Sequence, residues 1–116
     1  MSAPRLPSGA VLARLSALPN PGALVVDIER DGARISLLVT RRGQHVAAFR
    51  NKCPHAGYPL QRSDGRIIVQ DGRYMICAAH CASFALEDGA CAGGPCNGTG
   101  LERLAIVVRD GEILLA

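Results

Sequence analysis

Two short stretches set a thiol beside an imidazole: Cys53-Pro54-His55 and, starting twenty-two positions after His55, Cys77-Ala78-Ala79-His80. Together they offer two thiolates and two imidazoles on what read as paired turns. That donor set suits a 2Fe-2S cluster in which cysteines hold one iron and histidines the other. The same four residues could also close a tetrahedral zinc site. C-x-H is not the usual zinc-knuckle spacing, which favours the cluster. Charge counting shows what the histidines would do. Two ferric ions, two sulfides and two thiolates sum to zero, whereas an all-cysteine cluster starts more negative and resists the incoming electron. Neutral imidazoles therefore raise the potential, and their outer N–H groups offer a short route for electron exit.

Such a site needs two loops held tip to tip, and the rest of the chain predicts them. Asp-Gly occurs at 31–32, 64–65, 71–72, 88–89 and 110–111, and this pair accepts the positive φ angles of tight hairpin turns. Between these turns lie β-prone runs: Val25 to Arg30, Ile35 to Thr40, Val46 to Arg50, Arg66 to Gln70, Tyr74 to Cys77, Leu104 to Arg109 and Glu112 to Leu115. Short strands so spaced read as an all-β antiparallel sandwich or small barrel. Each ligand pair follows a strand, Val46–Asn51 before Cys53 and Tyr74–Ile76 before Cys77. Residues 1–20 read as an irregular lead-in with a short helical turn around Val11 to Leu18, and Ala92 to Gly100 as one ordered loop.

The chain of 116 residues is expected to form one domain, 1–116, with 51–96 as its cluster-binding region. Hydrophobic content of 48% argues against disorder, and only 3% aromatics means a core of Val, Ile, Leu and Ala. The net charge of +3 comes with scattered arginines and a single lysine, Lys52. No aromatic-studded basic stripe is present, so nucleic acid is not expected; an acidic protein partner fits better. No run of ~18–20 apolar residues and no h-region appear, so neither a membrane span nor a secretory signal is expected. Five cysteines, an odd number with two assigned to the motif, argue against a disulfide framework and for the reducing cytoplasm.

From Asn51 onward the chain resembles the Rieske family. The stretch from Cys53 to Leu60 looks like the first cluster loop of that family. Cys77-Ala-Ala-His80, followed by Phe84, Leu86, Asp88 and Gly89, looks like the second. Gly94-Pro95 is similar to the covering proline loop, and Leu101 to Leu115 to the closing hairpin. The resemblance implies a Rieske-type antiparallel sandwich with a small cluster-binding subdomain formed by two loops. It also implies one 2Fe-2S cluster per chain, with Cys53 and Cys77 on the inner iron and His55 and His80 on the outer. The interval between His55 and Cys77, and the Gly-Gly-Pro-Cys stretch ending at Cys96, are similar to stand-alone proteins related to nitrite reductase small subunits.

Departures from the family pattern narrow the class. High-potential members carry a disulfide between the cluster loops, at positions that here are Tyr58 and Ala79. They also carry serine and tyrosine donors to sulfur where this chain has Ala82 and Phe84. Losing those donors removes stabilisation of the extra electron and points to the low-potential, ferredoxin-like class. Most members have glycine where Cys81 stands; Cys81 is read as an inert small side chain, with an alternative thiolate or a redox-sensitive group as the other readings. Cys91 and Cys96 are read as packed thiols, their separation still permitting a disulfide. His45 is read as a surface or satisfied histidine. Residues 93–100 lack the Lys-Ser/Thr ending of a phosphate loop.

The resulting expectation is a soluble carrier of one electron between a reductase and an oxygenase or reductase partner, docking near His55 and His80 with Tyr58, Pro59 and Pro95 as rim. It is not expected to be an enzyme on its own. The alternatives are a non-catalytic small subunit of a nitrite-reductase-like or oxygenase complex, and a redox or iron sensor using Cys81.

Overall fold

The computed structural model describes residues 9–30, 32–54, 57–78, 82–94 and 99–116. Among them eleven strands form three antiparallel sheets. The central sheet contains β2 (Gly22–Arg30), β3 (Ala33–Arg42), β4 (His45–Arg50) and β9 (Arg103–Leu104), in that order. Against one face lies a sheet of β1 (Val11–Arg14), β11 (Glu112–Leu115) and β10 (Ile106–Arg109). Against the other lies a sheet of β5 (Ile68–Gln70), β6 (Tyr74–Ile76), β7 (Ser83–Ala85) and β8 (Cys91–Gly93). This is the expected all-β antiparallel architecture. No helix among the described residues is long and apolar enough to cross a membrane.

Period-two alternation explains why the central sheet serves two cores. On β3, Leu37 and Val39 turn toward one core with Ile113, Leu115 and Leu12, while Leu38 turns to the other with Phe49, Met75 and Phe84. On β4, Ala48 joins the first, and Ala47 and Phe49 the second. The run from Leu37 to Thr40 is therefore buried on both faces, the pattern of a strand covered on each side. Burying each large apolar side chain contributes about 1.5–3 kcal/mol.

Turn chemistry sets the registers. Asp71-Gly72 and Asp110-Gly111 have positive φ at both residues, 56° and 62°, then 52° and 76°. The second pair makes a tight two-residue hairpin between Arg109 and Glu112, whereas the first centres a turn closed by the Arg73 N–H on the Gln70 carbonyl at 3.0 Å, with Gln70 paired to Tyr74. In Asp64-Gly65 and Asp88-Gly89 the aspartate instead accepts the N–H two residues on, Arg66 at 3.0 Å and Ala90 at 2.9 Å.

Three elements differ from the sequence expectation. The helical turn expected over Val11 to Leu18 is strand β1 followed by a single 3-10 turn, Leu15–Ala17. Pairing with β11 and burial of Leu12 override local propensity there. The run from Leu104 to Arg109 splits at Ala105, because β9 pairs with β4 whereas β10 pairs with β11. The loop from Ala92 begins inside β8, which pairs with β7 despite Gly93. Cys91 also corrects an expectation: it is disulfide-bonded rather than a packed thiol. Cys96 and Cys81 themselves lie outside those residues.

Candidate metal centre

Strand ends deliver both cysteines. Cys53 follows β4 by three residues, and Cys77 follows β6 directly. Each opens a loop closed by the same backbone device. The Cys53 N–H donates to the Tyr58 carbonyl at 2.8 Å, and the Cys77 N–H to the Ala82 carbonyl at 2.8 Å. Gly57, at φ +79°, completes the first turn by donating to the Cys53 carbonyl at 2.7 Å. The loops are joined to each other where the Ala78 N–H donates to the Leu60 carbonyl at 3.1 Å.

Asn51 anchors this assembly, a role not read from sequence. Its Oδ1 accepts the Leu60 N–H at 2.8 Å, and its Nδ2 donates to Ser36 Oγ at 3.0 Å and Gln61 Oε1 at 2.7 Å. One buried amide thus ties both ends of the first loop to β3, and through Leu60 to the second loop. The signal available in sequence was a lone Asn directly after a β-run, which is equally a turn residue. A second tie is Thr40, whose Oγ1 donates to the Leu86 carbonyl at 2.6 Å and joins the central sheet to the β7–β8 turn. His45 lies on the same side as a satisfied histidine, its Nε2 donating to the Glu87 carbonyl at 2.8 Å. Arg42 pairs with Glu87 at 2.7 Å beside it.

Cys53 and Cys77 are both 0% exposed and stand outside any disulfide, yet Pro54, Gly57, Tyr58 and Ala78 around them face solvent. Two buried thiols at a solvent-facing loop tip fit the inner half of a 2Fe-2S site, whose thiolates need shelter while the outer iron stays near partners. Their surroundings are apolar: Leu60, Met75, Ala82 and Phe84 share their core. Ala82 and Phe84 bring no hydroxyl donor to this floor. His55 and His80, like Ala79, Cys81 and Pro95, lie outside the described residues.

Comparison with known proteins agrees with this geometry. The model of the Rieske [2Fe-2S] domain matches residues 10–110. The ferredoxin of carbazole 1,9a-dioxygenase from Nocardioides aromaticivorans IC177 is 25% identical, with a TM-score of 0.71 over 95% of this chain and 98% of that one. A chain of the complex of reduced oxygenase and oxidised ferredoxin in carbazole 1,9a-dioxygenase is 26% identical, with a TM-score of 0.69 over 92% and 91%. The E. coli protein NirD shares the fold at 18% identity and a TM-score of 0.64, over 92% and 94%. No curated protein matches the sequence. With buried cysteines on joined loops and a family match across most of its length, the chain belongs to the Rieske family of electron-transfer proteins and carries that family's 2Fe-2S cluster.

Proposed function

We propose that this protein is a ferredoxin-like carrier that takes one electron from a reductase and hands it to an oxygenase or reductase partner. Cys53 and Cys77 hold the inner iron, and His55 and His80 the outer. The observation that carries the reading is the pair of fully buried cysteines at the mouths of two loops bonded to each other through Ala78 and Leu60. When bound, the cluster supplies one-electron redox chemistry. The chain's own residues shelter the sulfurs, exclude water and fix the loop spacing. The two ferredoxin-related matches, aligned over 98% and 91% of their own chains, support the carrier reading.

The docking face is the loop tip. Tyr58, 56% exposed, and Pro59 offer an apolar rim, suited to a small, transient encounter. Pro95, the third rim residue expected, lies outside the described residues. The carrier is of the low-potential class, a reading supported by the lack of a hydroxyl at Ala82 and Phe84, and its proposed compartment is the cytoplasm. The test is anaerobic purification followed by absorption and EPR spectroscopy with iron and sulfide assays. A Rieske spectrum with two irons per chain is expected; a colourless zinc protein would overturn the reading. Stable co-purification with a larger chain would replace the free carrier by a fixed small subunit.

A further inference from the structure

Beside the first loop runs a groove whose lining does not include Tyr58 or Pro59 of the apolar rim. Two adjoining hollows, of about 440 and 260 Å³, share Arg50, Lys52 and Gly57 in their walls and so form one concavity. Cys53 and Pro54 line one end, and Arg34 the other. Among the described residues its charged lining is Arg34, Arg50 and Lys52 against Glu102, a positive excess. Lys52 is exposed, and its stem runs along Gly57: a Cβ there would lie 3.5 Å from Lys52 Cε. The ammonium is thereby kept beside the loop that carries Cys53.

Arg50 adds an unmet demand. Its side chain is only 20% exposed, and among the described residues its buried Nε has no hydrogen-bond acceptor. Glu102 Oε2, on a side chain that is 67% exposed, forms an ion pair with this nitrogen at 3.6 Å, longer than a hydrogen bond. A buried charged donor without an acceptor is costly, and a planar guanidinium matches a carboxylate better than any other surface group.

We propose that this groove receives an acidic segment of the redox partner, with a carboxylate set between Arg50 and Lys52. The inference rests on the electron-carrier reading. It adds to the apolar tip an electrostatic arm on the Cys53 side, which would steer the encounter and orient the partner.

The test uses the cluster-loaded protein and a fluorescently labelled octaglutamate peptide, followed by anisotropy at low and high salt. Variants Lys52→Glu and Arg34→Glu are compared with Arg66→Glu and Arg109→Glu, exposed arginines that line neither hollow. Each groove reversal should weaken binding about fivefold, and added salt should abolish the difference. Binding that is absent, indifferent to Lys52, or equally sensitive to Arg66 and Arg109 would overturn the groove. Displacement of the peptide by millimolar inorganic phosphate would reassign it to a small-anion site and also overturn the proposal. EPR of the same samples separates the two readings: loss of the Rieske signal in the wild type refutes the carrier, whereas an intact signal with failed peptide binding refutes the groove alone.

Discussion

At the scale of single residues, the ligands and their supports make different predictions. Replacing His80 with Ala should abolish the Rieske EPR signal, since metal binding and loop order are linked; a retained signal would remove His80 from the proposed ligand set. Asn51→Ala should act otherwise. It strips three hydrogen bonds from the loop base and leaves the buried Leu60 N–H without its acceptor, costing about 1–3 kcal/mol in chemical denaturation. The cluster should still form but be lost faster on warming, read from the decay of its visible absorption. Adding a donor to the apolar floor has the opposite sense. Ala82→Ser should raise the potential, by roughly 60 mV if its hydroxyl forms one hydrogen bond worth tenfold in reduction equilibrium. Voltammetry would check it, and an unchanged potential would show that position 82 does not reach the sulfurs.

Among the elements, the joints between sheets matter more than the strands. Gly89, in the β7–β8 turn, is required on two grounds. Its φ is +73°, and a Cβ would lie 2.6 Å from Phe49 Cε1 and 3.2 Å from Leu101 Cβ. Gly89→Ala should therefore destabilise by about 2–3 kcal/mol in urea unfolding, more than the same change at Gly65, which shares the positive φ at +85° but meets nothing within 4 Å. The strands were largely legible because Asp-Gly turns bracket alternating β-branched runs. What was not legible has a physical cause in each case. Val11 to Arg14 becomes a strand only because β11 is there to pair with it, and Cys91 to Gly93 only because β7 is. Local propensity carries no information about either partner.

For the molecule as a whole, two cores on opposite faces of one sheet separate stability from redox function. Ile113 is fully buried in the core away from the cysteines, with Leu37 and Val39. Ile113→Ala should cost about 2–5 kcal/mol while leaving the EPR g-values unchanged. A shifted spectrum would show that the two cores are mechanically coupled through β3 and β4. The candidate ligand types, their order and the absence of a hydroxyl at Ala82 and Phe84 are legible in the sequence alone, because a thiol beside an imidazole at close spacing is a local chemical fact. Tertiary structure decided the rest. It put Cys53 and Cys77 under cover at the mouths of loops joined through Leu60, made Asn51 their common anchor, drew Cys91 into a disulfide and gathered Arg34, Arg50 and Lys52 into one groove. Each of these depends on residues far apart in the chain meeting across a strand pair or a loop, and spacing along the chain does not encode that meeting.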